Sequence, residues 1–341
     1  MNRRIFVGWC AATILTFALL ASSRASAAQS DVYFNVTLRS AGQARIHAAV
    51  YASSSARAGV TILAVPGFTE TAAIYQPLAT AIFADHILGK VVQRIVAIEM
   101  PGHGLSSAPS GLPNGALFGD LAIEDNVSVV LQAIDELRSL HLGASVIMGH
   151  SMGGLEVLAS QETLLSHGST LAAHGIFGAV LLAPVPPANS QYTRGPLPDL
   201  SSFITSDPSL GTYLFLPPPV AQIDGAYTTT AGTLVPNAPT PDQIAPYNDK
   251  EPITTVLQLV ASTPPRPTVR AQAFALTKGT VLSILSFSED VLVPAADMAP
   301  LFSLMTGKVT PLYRPIVAPD AVHSMFVSNP NGLLDALIDV L

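Results

Sequence analysis

Residues 146–154 read Val-Ile-Met-Gly-His-Ser-Met-Gly-Gly, and no other stretch limits the fold of this chain as tightly. An apolar run with strand character ends at Met148, and helical character begins at about Met152. Between them, Gly149, Ser151 and Gly153 alternate in a G-x-S-x-G pattern. A strand that turns sharply into a helix strains its corner residue, so only very small residues fit two positions away on either side. The turn lifts the Ser151 hydroxyl clear of the sheet and aims it at a helix N-terminus, where unpaired N–H groups favour negative charge. Ser151 is therefore the candidate reactive residue.

The surrounding sequence repeats the strand-then-helix theme. Val32 to Arg39 and Arg45 to Tyr51 alternate as an N-terminal antiparallel pair. Val60 to Val65 is a continuous apolar run, as expected of a strand buried on both faces, and Pro66-Gly67 ends it. Helical spacing follows over Ala72 to Leu88. A strand over Arg94 to Glu99 comes next, ended by Pro101-Gly102. An amphipathic helix covers Ile123 to Leu140, with acids in its first turn. After the Ser151 corner, Phe177 to Ala183 reads as a strand. Alternation at this spacing implies an α/β fold with a mostly parallel central sheet and helices on both faces.

The theme breaks at Pro184. Seventeen of the 28 prolines fall between Pro184 and Pro267, and only Arg194, Asp199, Asp207 and Asp224 carry charge between Pro184 and Pro241. Aromatic and apolar residues persist there, whereas a disordered linker would be charge-rich and poor in aromatics. Residues 184–267 are read as an inserted cap over the sheet's C-terminal edge. It divides the core into 29–183 and 268–341. Helices are expected over Thr254 to Ser262 and Thr268 to Thr277, strands over Val281 to Phe287 and Leu312 to Val317, and a closing helix over Gly332 to Leu341.

Residues 1–28 have the pattern of an export signal. Arg3 and Arg4 precede an apolar run from Ile5 to Leu20, and Ala25-Ser26-Ala27 offers a cleavage site, with Ser26-Ala27-Ala28 one residue later. The paired arginines also suit a twin-arginine signal. The chain is thus expected to be exported, to the periplasm or the medium. Removing this segment takes away three arginines and no acids, leaving 13 basic and 23 acidic residues, a formal charge of −10. That balance argues against nucleic acid and anionic membrane surfaces as partners. The single cysteine, Cys10, lies in the same segment, so the mature chain has neither a disulfide nor a cysteine metal site. No later run is long and apolar enough to span a membrane. No metal-ligand spacing and no glycine-rich nucleotide loop stands out, so neither a metal nor a cofactor is expected.

A serine hydroxyl is a weak nucleophile until a base takes its proton and an acid orients the base. Of the eight histidines, His323 alone stands in a loop after the last strand, and it is the candidate base. His150 adjoins the serine, and its ring should point away from the serine's proton. The acid is expected in the loop after Val281 to Phe287, from among Asp290, Glu289 and Asp297. Two backbone donors for a developing oxyanion are expected from Met152, at the helix start, and Phe68, in the loop Pro66-Gly67-Phe68-Thr69.

Together, Gly149-His150-Ser151-Met152-Gly153-Gly154 and Glu99-Met100-Pro101-Gly102-His103-Gly104-Leu105-Ser106 resemble the α/β-hydrolases of the serine esterase and monoacylglycerol-lipase-like group. The resemblance runs from about Val60 to the C-terminus. It implies the α/β-hydrolase fold with a cap, and Asp290 as the acid, since it precedes the apolar Val291-Leu292-Val293-Pro294. It also implies a structural role for His103. The chain departs from the group's pattern at Glu99, usually Asp, and at Pro66, where His-Gly usually begins the loop. The implied activity is hydrolysis of carboxylic esters with apolar acyl or alcohol groups, acting on small-molecule or lipid-like substrates. The same residues would also serve lactone, amide or carbon–carbon hydrolysis or acyl transfer, and a non-catalytic binding protein of this fold is the alternative outside enzymes.

Overall fold

The computed structural model describes residues 28–40, 42–53, 58–110, 117–190, 204–207, 212–215, 224–262, 264–270, 273, 280–298 and 312–341. The expected export signal lies outside them except for Ala28. Most of the helix expected over 268–277 also falls outside.

The main sheet has eight strands in the order β1-β2-β4-β3-β5-β6-β10-β11. They are β1 (Ala28–Thr37), β2 (Gln43–Ala52), β3 (Val60–Val65), β4 (Val92–Ile98), β5 (Val146–His150), β6 (Gly178–Leu182), β10 (Val281–Phe287) and β11 (Leu312–Ile316). β1 and β2 form an antiparallel pair, β2 lies antiparallel to β4, and every pairing from β4 through β11 is parallel. This is the mostly parallel sheet expected from the strand–helix alternation. The interior strands are apolar because helices cover both faces. Ile62, Leu63, Ile147 and Met148 are fully buried. Each such side chain contributes roughly 1.5–3 kcal/mol by leaving water.

Strand order places the site. From β3 the chain passes through α1 (Gln76–Ala84) and α2 (Leu88–Val91) to β4 on one side. From β4 it returns through α3 (Ile123–Ser139) to β5 on the other side of β3. With right-handed crossovers, these connections lie on opposite faces and part above the carboxyl ends of β3 and β5. Those two strands are neighbours, with Val65 opposite Gly149. The loop after β3 and the corner after β5 therefore share one crevice.

Several expected boundaries shift. The helix read over Ala72 to Leu88 is three pieces: a 3-10 turn at Ala72–Tyr75, then α1, then α2. The break is at Asp85, whose extended backbone ends α1 while its carboxylate accepts from the Ile87 and Leu88 amides at 2.9 and 2.8 Å. An aspartate that caps its own following turn competes with helix continuation. β1 runs from Ala28 to Thr37 rather than from Val32 to Arg39, because the turn closed by Leu38 N–H to Gly42 C=O begins directly after Thr37. The closing helix is a 3-10 turn at Pro330–Leu333 followed by Leu334–Ile338.

The proline-rich segment contains a feature with no counterpart in the expectations. It is a second, antiparallel sheet of β7 (Ile204–Asp207), β8 (Thr212–Phe215) and β9 (Glu251–Pro252). β9 leads into the helix Ile253–Val260, which begins one residue before the helix expected there.

Candidate active site

Ser151 occupies the corner between β5 and α4 (Met152–Ser166) with φ 51° and ψ −117°. That conformation costs a non-glycine residue roughly 1–3 kcal/mol and persists only where its surroundings enforce it. Here the Ser151 N–H donates to Leu182 C=O at 2.9 Å, and the Ser151 carbonyl accepts from Val185 and Gly154. The flanking glycines are required by close backbone approach. A Cβ on Gly153 would lie 2.4 Å from the carbonyl oxygens of both Val65 and Pro66, and one on Gly149 would lie 2.4 Å from the Gly153 oxygen. The spacing of small residues read from the sequence thus has a direct steric cause.

His323 and Asp290 meet. The His323 Nδ1 lies 2.7 Å from Asp290 Oδ2, and both residues are buried. Asp290 is itself held, because its other oxygen accepts from the Leu292 and Val293 amides, each at 2.8 Å. One carboxylate oxygen is thereby fixed by backbone and the other is given to the imidazole. Glu289 turns elsewhere and accepts from the Thr230 amide and hydroxyl. Asp297 lies in the 3-10 turn Ala295–Asp297, and its side chain is outside the described residues. Burial pulls the His323 pKa down. The charge and hydrogen bond of Asp290, followed by the charge of Glu70, outweigh it and leave the imidazole above its ordinary value.

His150 lies beneath His323, with ring centroids 4.6 Å apart. Its Nε2 faces the His323 carbonyl at 3.1 Å, and its Nδ1 faces the Glu70 carboxylate at 2.8 Å. Both ring nitrogens are engaged away from the Ser151 hydroxyl, as the sequence reading expected. Glu70 also accepts from the Gly67 amide. Gly67 packs directly on the serine: a Cβ there would be 3.1 Å from Ser151 Cβ. The loop carrying Phe68 thus abuts the corner carrying Ser151 and Met152. Thr69, the next residue, has φ 61°, a second non-glycine residue in the left-handed region.

Two residues of this region were not singled out from the sequence. Glu70 is buried between the loop and His150. Glu251, from β9, is fully buried and accepts from the Thr69 amide at 2.9 Å and faces His103 Nε2 at 3.1 Å. Their flanking residues, Thr69 and Thr71 for Glu70 and Lys250 and Pro252 for Glu251, give no signal, since the histidines they meet lie far off in the chain. Glu99 shows what its replacement of Asp does. It reaches His47 Nδ1 at 2.9 Å and the Leu105 amide at 2.6 Å, closing the Pro101–Ser106 loop from below.

Among the described residues, no group of three or more His, Cys, Asp or Glu could hold a metal ion, and no helix is long and apolar enough to cross a membrane.

Comparison with known proteins agrees with this architecture. A family model described as the alpha/beta hydrolase family matches residues 62–336. A probable hydrolytic enzyme from Pseudomonas aeruginosa PAO1 is similar in structure, with a TM-score of 0.59 and 17% identity over 92% of this chain and 94% of that one. A thermophilic esterase aligns with a TM-score of 0.55 and 12% identity, covering 92% and 97%. A peroxisomal alpha-beta-hydrolase from Saccharomyces cerevisiae aligns at 0.53 and 15%, covering 92% and 88%. At these identities the structural likeness speaks to the fold alone. No curated protein matches by sequence. The strained corner after β5, the crevice at the carboxyl ends of β3 and β5 and the family match across most of the chain agree: this protein belongs to the alpha/beta hydrolase family.

Proposed function

We propose that the protein is an exported serine hydrolase that cleaves carboxylic esters through an acyl-enzyme on Ser151. The observation that carries this reading is the buried Asp290–His323 pair at 2.7 Å, with the His323 ring in tilted contact with His150, the residue next to a strained serine. In this mechanism His323 accepts the Ser151 proton as the hydroxyl attacks the ester carbonyl, and Asp290 keeps the Nδ1 proton in place so that Nε2 serves as base. The N–H groups of Phe68 and Met152 receive the negative charge that develops on the carbonyl oxygen. His323 then protonates the departing alcohol, and water, activated in the same way, releases the acyl group.

The charge-poor stretch 184–241 favours apolar acyl chains or alcohols over charged substrates, and we read segment 184–267 as the cap. Purified Ser151→Ala should lose turnover of p-nitrophenyl esters and labelling by a fluorophosphonate probe. Retained turnover in pure Ser151→Ala protein would sink the mechanism. For export, N-terminal sequencing of protein recovered outside the cytoplasm should give a start at Ala28 or Gln29. A start at Met1 would refute cleavage.

A further inference from the structure

We propose that Glu251 is a positioning residue for the oxyanion loop, holding the Thr69 amide and the His103 ring together and thereby orienting the Phe68 N–H. This deepens the reading of Ser151 as the nucleophile and rests on it.

Three successive amides line the loop after β3. The first, Gly67 N–H, is taken by Glu70. The third, Thr69 N–H, is taken by Glu251 at 2.9 Å. The Phe68 N–H lies between them, so the two carboxylates fix the peptide planes on either side of it. Thr69 holds a left-handed φ of 61°, which a β-branched residue adopts only when its neighbours enforce it. Besides the Glu70 N–H to Gly67 C=O bond within the loop, contacts from residues 246–251 hold it. The Thr69 hydroxyl donates to Asn248 Oδ1 at 3.0 Å, and the Thr69 carbonyl accepts from Asp249 N–H at 2.7 Å. Thr71 donates its amide to Tyr247 C=O and its hydroxyl to Pro246 C=O. Of these contacts from the inserted segment, the one to the Thr69 amide is made by a carboxylate.

Burial sharpens the point. Glu251 is 0% exposed, and its Oε1 has no hydrogen-bond partner among the described residues. Half-satisfied buried carboxylates are costly, and an apolar residue would pack there more cheaply. What offsets the cost is His103, whose Nδ1 is engaged by the Pro101 carbonyl at 3.2 Å while Nε2 meets Glu251. Although burial opposes it most strongly, the Glu251 charge and hydrogen bond hold His103 above its ordinary pKa. The Glu251 carboxylate thus joins the loop after β3, the loop after β4 and the inserted segment at one point. Removing it leaves the Thr69 amide and His103 Nε2 without their acceptor and frees Thr69 to leave its left-handed conformation, moving the adjacent donor.

The test uses the full-length purified protein and a p-nitrophenyl ester, with Glu251→Ala, Glu251→Gln and Glu251→Asp. A donor needed only in the transition state lowers kcat and spares KM. Misplacing such a group by about 1 Å costs on the order of a hundredfold. Glu251→Ala should therefore lose roughly 30- to 100-fold in kcat with KM changed less than about threefold, and its inactivation rate by a fluorophosphonate should fall in parallel. Glu251→Gln keeps an oxygen that accepts from both Thr69 and His103, so it should return to within about fivefold of the native kcat. Folded Glu251→Ala with kcat within about twofold of native overturns the proposal, as do equal losses in the Ala and Gln variants. If the Ala variant does not fold, Glu251→Asp carries the test: its carboxylate is one methylene short, a tenfold or larger loss in kcat is expected, and native-like kcat refutes the role. Failure of the underlying mechanism is separately visible, because the native protein would then not be labelled or Ser151→Ala would still turn over.

Discussion

The division of labour within the Asp290 carboxylate makes an unusually separable prediction. Oδ1 accepts from two backbone amides, Leu292 and Val293, and Oδ2 accepts from His323. Asn at this position keeps an oxygen where Oδ1 stands, so both amides stay paired, and stability should fall by less than about 1 kcal/mol. It places an NH2 opposite His323 Nδ1, which can then only accept. The proton moves to Nε2, and in the proposed mechanism the ring could then no longer take a proton from Ser151. A wrong tautomer of this kind costs about 10⁴ in kcat, equivalent to about 5 kcal/mol of transition-state stabilisation. Ala at the same position also removes the acceptor of both amides, the buried one of Val293 and the part-buried one of Leu292. At roughly 1–3 kcal/mol for the buried amide and less for the part-buried one, Asp290→Ala should lose about 1–4 kcal/mol of folding stability on top of a similar catalytic loss. Urea unfolding followed by fluorescence gives the stability difference from the midpoint and slope, and single-ester kinetics gives kcat. Asp290→Asn with activity within tenfold of native would refute the tautomer argument. Asp290→Ala as stable as native would refute the assignment of the two amide bonds.

The remaining predictions concern pH. The raised His323 pKa requires the acid limb of kcat/KM to lie above the ordinary imidazole value of 6.5, and Glu70→Gln, which removes a charge that raises it, should move that limb to lower pH. An unchanged limb in Glu70→Gln would show that Glu70 does not act electrostatically on His323. His47 and His103 are also raised on folding, in each case with burial opposing and paired carboxylates prevailing. Their contribution to stability is complete below the unfolded value of 6.5 and is lost as pH rises through the folded values. Glu156, pushed up by burial, acts in the same direction above 4.5. Thermal midpoints measured in one buffer series should therefore fall from pH 6 to pH 9, and a rise over that range would contradict these pairings.

The legible parts of the fold are those set by local physics. β3 and β10 coincide with their expected bounds, Val60 to Val65 and Val281 to Phe287, because each is a mostly apolar run with a clear end. The helix start at Ile123 was marked by acids in its first turn. The illegible parts depend on partners distant in sequence. β9 is two residues long and exists because Phe215 and Leu214 pair with Glu251 and Pro252. No local pattern announces such a strand. In the site, Ser151 and its glycines could be read from spacing because their constraint is steric and local. Choosing between Asp290 and Glu289 rested on family resemblance, since the difference lies in which side chain meets His323 and which meets Thr230. Glu70 and Glu251 are not legible because burial paired with a histidine leaves no mark on the flanking residues.

The bond from Thr69 to Glu251 joins residues 182 positions apart. Contacts of such span form late, after the cost of closing the intervening loop has been met. Ser151 leaves the ribosome 100 residues before Glu251 and long before His323. On the proposed mechanism, a nascent or partly folded chain would carry Ser151 without His323 or a fixed loop after β3, and hydrolytic competence would arrive as one of the last events of folding. If the proposed mechanism holds, ester turnover during refolding should lag behind recovery of secondary structure and so report the closing of this long loop.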